Sequence, residues 1–156
     1  MKEIHRGRLA AMTLDQRLID VATELLDRRW PLADFAVAAA VRLDDGEILT
    51  SVGLDNINAG AGLCAETGAL CQAYTLDRRV TASACVCRND GAVGILAPCG
   101  ICQERLALWG PDVQVAVADR AAPSGWSARA LAELNPFYWA THFTDGTTWP
   151  SAAEHT

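Results

Sequence analysis

Pro98–Cys99–Gly100–Ile101–Cys102 is a C-x-x-C pair that opens a segment of helical composition, Cys99 to Trp109, stopped by Gly110–Pro111. Upstream, Val80 to Arg88 is rich in small and β-branched residues and reads as a strand. Downstream, Val113, Val115 and Val117 alternate with other residues and mark a strand over Val113 to Ala118. Strand, helix, strand in that order is a βαβ unit, and its two strands should run parallel.

Further out, Leu63 to Arg78 has helical composition, and Asp55 to Gly62 is an Asn- and Gly-rich loop. Phe35 to Leu43 and Glu47 to Val52 flank the turn signal Asp44–Asp45–Gly46 and read as a β-hairpin. Thr13 and Gln16 suggest a capping box. The helix behind it carries Leu14, Leu18, Ala22, Leu25 and Leu26 on one stripe, and should end near Arg29 because Trp30 precedes Pro31. Ile95–Leu96–Ala97 is a short apolar run into Pro98, and Ser127 to Leu134 reads as a last short helix before Pro136. The order α-β-β-α-β-α-β-α predicts an α/β fold: a three-layer α/β/α sandwich with a mixed central sheet of about five strands. With no repeat, linker or composition break, residues 1–156 read as one domain. Its core spans about 13–140, and residues 1–10 and 145–156 read as loosely held ends.

The chain has 156 residues and a net charge of −6, which argues against a phosphate-tracking nucleic-acid binder. No apolar run approaches the roughly 18 residues of a spanning helix. Met1 to Arg6 lacks the apolar core of a signal peptide, so the expected location is cytoplasmic, with no membrane partner. In that compartment the six cysteines need a reason other than a disulfide framework.

Cys64–Ala65–Glu66 opens another predicted helix, as Cys99 and Cys102 open theirs. Helix starts favour thiolates, because free N–H groups and the helix dipole stabilise negative charge. Two converging helix starts could supply three thiolates to one Zn²⁺ and leave the fourth position open, as catalytic zinc sites do. Cys71 lies too far along its helix, about 10 Å from Cys64, to share that metal. Cys71, Cys85 and Cys87 read as small core residues, and His5, His142 and His155 as surface residues. Other readings stay open: a structural zinc site completed by a partner, a redox C-x-x-C, or Glu66 as a solvated helix-start acid.

Cys64–Ala65–Glu66 followed some 35 residues later by Pro98–Cys99–Gly100–Ile101–Cys102 resembles the zinc-dependent cytidine deaminase superfamily. Phe35–Ala36–Val37–Ala38–Ala39–Ala40 resembles that family's Phe-x-Val-Gly-Ala-Ala strand. Leu131 to Phe137 resembles its Leu-Leu-Pro-x-x-Phe region. The resemblance implies Zn²⁺ on Cys64, Cys99 and Cys102, with Glu66 as the proton carrier. It implies a substrate pocket touched by Phe35, Asp55, Asn56 and Ala65. The implied reaction is hydrolytic deamination of a free cytosine nucleoside by a homo-oligomer, typically a tetramer. The Cys-Ala-Glu form is shared by free-nucleoside deaminases and blasticidin S deaminases, so an aminoacyl-nucleoside antibiotic is an alternative substrate. A non-catalytic zinc-stabilised nucleoside-binding protein is the alternative from another class. An aromatic from Phe137–Tyr138–Trp139 could cap the core or reach a neighbouring subunit.

Two departures stand out. Gly53 falls where cytidine deaminases carry a sugar-holding Asn, and Asp55 where they carry Glu, which predicts atypical sugar recognition. Related three-cysteine enzymes place Arg near the metal, whereas here those positions are Thr67, Ile101 and Gln103. Arg105 is the nearest cation in sequence.

Overall fold

The computed structural model describes residues 14–153. Helix α1 spans Gln16–Arg29 and buries Leu18, Ile19, Ala22 and Leu26 on one stripe. Its cap is Asp15, whose carboxylate accepts the Leu18 N–H at 3.2 Å and also binds the Arg42 guanidinium through both oxygens. That replaces the expected Thr13–Gln16 capping box; Thr13 itself lies outside the described residues, as do residues 1–10 and the histidines at 5 and 155. The helix ends where Trp30 precedes Pro31, as its restricted backbone requires.

Strands β1 (Phe35–Leu43) and β2 (Ile48–Val52) form the expected hairpin. Helix α2 (Thr67–Thr75) follows the loop, then β3 (Val80–Asn89) and β4 (Ala92–Leu96). Helix α3 (Gly100–Leu106) continues as a 3₁₀ turn over Ala107–Trp109 and leads to β5 (Gln114–Ala118). Strand β6 (Trp126–Ala130) and the short α4 (Leu131–Leu134) and α5 (Pro150–Ala153) complete the chain.

The sheet has six strands, in the order β2-β1-β3-β5-β6 with β4 also paired to β3. β3 and β5 are parallel, as the βαβ reading requires, and the other pairs are antiparallel. Two strands go beyond the sequence reading. Asp90 and Gly91, both at positive φ, make a two-residue turn of the kind that suits a hairpin, and fold Ala92–Leu96 back onto β3. Ser127 to Ala130, expected to be helical, pairs instead with β5 from Val117↔Ser127 to Gln114↔Ala130; only Leu131–Leu134 is helix.

Alternation along β1 divides the core into two layers. Ala36, Ala38 and Ala40 pack with α1, while Val41 and Leu43 pack on the opposite face with α2, α3 and the C-terminal segment. Trp149 is buried there, its ring 4.1 Å from that of Tyr138. The core therefore runs past residue 140 to Trp149, inside the segment 145–156 expected to be a loosely held end; residues 154–156 of that segment lie outside the described residues. Asp145 turns the chain by accepting the N–H groups of Thr147 and Thr148, which delivers Trp149 inward. No helix among the described residues is long and apolar enough to cross a membrane.

Candidate metal centre and active site

The candidate site forms where three chain segments meet on one face of the sheet. After β2, Leu54 and Leu63 exchange backbone hydrogen bonds at 3.0 and 3.1 Å, closing the intervening loop on itself. A Cβ on Gly53 would come within 2.9 Å of the Leu63 carbonyl, so the close approach leaves no room for a side chain there. Closure of that loop sets Cys64, Ala65 and Glu66 at the head of α2. Ser51 fixes the same peptide from the strand: its hydroxyl donates to the Ala65 carbonyl and accepts from the Ala69 N–H at 2.9 Å. Gly68 permits this packing, since a Cβ there would lie 2.8 Å from the Ser51 Cβ. From the other side, β4 delivers Pro98 and Cys99 to the head of α3.

The three sulfurs of Cys64, Cys99 and Cys102 lie within 4.8 Å of one another, with 3.4 Å between those of Cys64 and Cys99. Zinc with sulfur bonds of about 2.3 Å in tetrahedral geometry needs sulfurs about 3.8 Å apart, and the cluster brackets that spacing. The donor chemistry fits as well. Burial, then the neighbouring Glu66 and the other two thiols, push the Cys102 thiol far up, and Cys64 is raised chiefly by burial. Burial also opposes ionisation of Cys99, but hydrogen bonding, including from the backbone N–H groups of Cys102 and Ile101, overcomes it and holds this thiol below its usual range. A divalent cation relieves such crowding of acidic groups. Cys102 is fully buried, as a permanent ligand can be, whereas Cys99 is exposed at the cavity.

Glu66 is buried at 4% exposure and lines the same 310 Å³ cavity as Cys64 and Cys99. Phe35, Ala65 and Asp55 line it too, whereas Asn56 is exposed and not part of its wall. Sequence reasoning missed Trp30, Leu96 and Ala97, which also face the cavity. Trp30 gave a signal only as the residue before Pro31. In the fold its carbonyl accepts from Arg88, which also pairs with Asp27 and so ties the end of α1 to β3. Cys85, read as core, is buried and also lines the cavity; Cys87 is half-buried. Cys71 is exposed on α2, contrary to the core reading, because it lies off the stripe of Ala69, Leu70 and Ala73. Arg105 reaches across from α3 to donate to the Thr67 hydroxyl at 2.8 Å, bringing a cation beside the residue that follows Glu66.

Fold and site together define a zinc-binding deaminase domain. The family described as "Cytidine and deoxycytidylate deaminase zinc-binding region" matches residues 12–118, and the chain belongs to it. Zinc is the metal of that family, and Cys64, Cys99 and Cys102 form the cluster able to hold it. Among solved structures, the cytidine deaminase of Bacillus anthracis is similar with a TM-score of 0.77 and 42% identity, covering 83% of this chain and 92% of that one. The cytidine deaminase of Mycobacterium tuberculosis gives 0.64 and 30%, covering 81% and 98%. In sequence, a cytidine deaminase of M. tuberculosis (strain H37Rv) is 40% identical over 77 residues, 49% of this chain. That match spans only 56% of the mycobacterial protein. A blasticidin-S deaminase of Bacillus cereus is 27% identical over 109 residues, 66% of this chain and 78% of that protein.

Proposed function

We propose that this chain is a zinc-dependent hydrolase that converts a free cytosine nucleoside and water into the uracil nucleoside and ammonia. The observation that carries the reading is the placement of a buried carboxylate, Glu66, in one cavity wall with Cys64 and Cys99 of the three-thiol cluster. Zinc, when bound, lowers the pKa of water and makes hydroxide available at neutral pH. Glu66 then has the proton work: its carboxylate takes one proton from the attacking water and delivers it to ring N3, then takes the second from the hydroxyl newly bonded to C4 and passes it to the amine leaving C4. Phe35, Val37 and Ala65 give the base a largely apolar berth, and Asp55 offers an acceptor for sugar hydroxyls at the mouth. Gly53 contributes no side chain there, and Asn56 lies off the cavity wall, which supports sugar recognition of an atypical kind.

The same open mouth favours a second reading, deamination of an aminoacyl-nucleoside antibiotic, as the name of the Bacillus cereus relative suggests for that protein. Glu66→Gln should retain zinc and lose about 10²–10⁴-fold in turnover, the worth of a positioned acid–base group. Zinc content and the ultraviolet change from cytosine to uracil measure both. Near-wild-type turnover in that variant would sink the assignment, and absence of ammonia release in the wild type would leave a binding protein.

The reading includes a homo-oligomer, a tetramer by family resemblance. Its support is an exposed aromatic group, with Trp139 and Phe143 packed edge-to-face at 5.7 Å and Phe137 93% exposed beside them. A cytoplasmic location agrees with all six cysteines being free.

A further inference from the structure

The sheet face that floors the candidate cavity does not stop at its edge. Directly opposed residues of β1, β3 and β4 form rows across that face: Ala39–Cys85–Leu96, Val37–Cys87–Gly94, and Phe35–Asn89–Ala92. Successive rows are about 7 Å apart, two residues along a strand. The first row lies at the cavity. Cys87 and Gly94 of the second row, with the third row, floor an adjoining groove of 510 Å³ that shares Phe35 and Leu96 with it. The groove floor is built from the small residues Cys87, Gly94 and Ala92 between Phe35 and Leu96, and Val93 and Ile95 of β4 complete its apolar lining. No charged residue lines it, and the only polar side chain on its wall is the amide of Asn89 at the outer end. The cavity itself, at 310 Å³, is at the small end for a ligand site.

We infer that the groove is a second subsite of the same pocket, and that the preferred substrate is a cytosine nucleoside carrying a neutral apolar substituent that passes between Phe35 and Leu96 to lie over Cys87, Gly94 and Ala92. This rests on the nucleoside deaminase reading and names its substrate class. The choice of occupant follows from continuity with the cavity and from the lining. A cationic aminoacyl extension would find no carboxylate in the groove, whereas an alkyl or aryl group would bury apolar surface on small residues.

Three series of cytidine derivatives test this, with a butyl or benzyl group on C5, on N4 or on the 5′-oxygen. At least one series should exceed cytidine in kcat/KM by about tenfold, the factor carried by burial of some tens of Å² of apolar surface. Gly94→Trp should return the ratio of extended to plain substrate to near one. A Cβ at Gly94 meets nothing within 4 Å, so the indole can occupy the groove without moving the backbone. No gain in any series, a gain that survives Gly94→Trp, or a preference for a cationic aminoacyl substituent would overturn the inference. So would light scattering showing that Gly94→Trp dissociates an oligomer, since a second copy would then cover the groove. Turnover of cytidine itself reports separately on the deaminase reading. If that fails, calorimetry on Glu66→Gln decides the groove alone: tighter binding of the extended compound, lost on adding Gly94→Trp, supports the subsite, and equal binding refutes it.

Discussion

Ser51→Ala isolates the joint between strand β2 and the segment Cys64–Ala65–Glu66. The variant keeps the Cβ that fits against Gly68 and removes only the hydroxyl. Two backbone groups then lose a partner: the Ala65 carbonyl and the Ala69 N–H. The second is one of the first-turn donors of α2 that the helix cannot satisfy internally. Each bond contributes about 1 kcal/mol net, and a buried group left unpaired costs about 1–3 kcal/mol. A loss of about 2 kcal/mol is expected, which for a chain of this length is a Tm lower by about 4–8 °C. Differential scanning calorimetry at fixed zinc concentration measures it. Ser124→Ala is the control, because that hydroxyl bonds one exposed carbonyl, of Trp126, and its loss should move Tm by less than about 2 °C. If Ser51→Ala shifts Tm no more than the control, the hydroxyl does not hold the segment and the reasoning fails.

Asp15 is held below the usual carboxylate range, first by its hydrogen bonds to Arg42, against the opposing effect of burial. A pKa depressed by folding adds stability above the unfolded value and loses it as pH falls through the folded one. Asp15→Asn keeps a capping side chain but removes the charge. It should cost about 1 kcal/mol at pH 7, discounted because Asp15 is half exposed, and the difference should shrink as pH drops below about 4. Urea midpoints at several pH values check this, and a penalty independent of pH refutes it. With zinc bound, a maleimide should modify exposed Cys71 and spare Cys64 and Cys99, and chelation should open both ligands to labelling. Cys85 should stay slow in either state, since burial raises its thiol pKa. Mass spectrometry of the labelled peptides reads the order, and equal labelling with and without chelator would count against a metal on these sulfurs.

The two helix-start motifs were legible in sequence because each is a short contiguous run that holds its metal donors at the opening of a helical segment. Their meeting was legible only through the resemblance, since nothing in the spacing says that the segments leaving β2 and β4, strands that β1 and β3 separate in the sheet, come together. The βαβ unit from β3 to β5 was readable from valine alternation. Ala92–Leu96 was not, because Ala92 and Gly94 weaken the strand signal, although Asp90–Gly91 marked the hairpin turn. Residues 127–130 were misread because Ala128 and Ala130 suit a helix equally well, and the ladder to β5 decides between the two. Ser51 and Trp30 carry no motif; their roles arise from packing partners distant in sequence. Trp149 was assigned to an end because of its position, while the Asp145 turn that buries it is visible only in three dimensions.

Cys64 and Cys99 are 35 residues apart in the chain, with their sulfurs 3.4 Å apart in the fold. The stretch between them holds all of α2, β3 and β4. A metal joining the two would act as a covalent staple does, withdrawing loop freedom that the unfolded chain otherwise enjoys. For a loop of that length the chain-entropy relation gives about 4 kcal/mol. The ion's arrival would therefore be an event in folding before it is one in chemistry. The fraction of chains that reach the native state would follow the supply of metal in the cell that makes them.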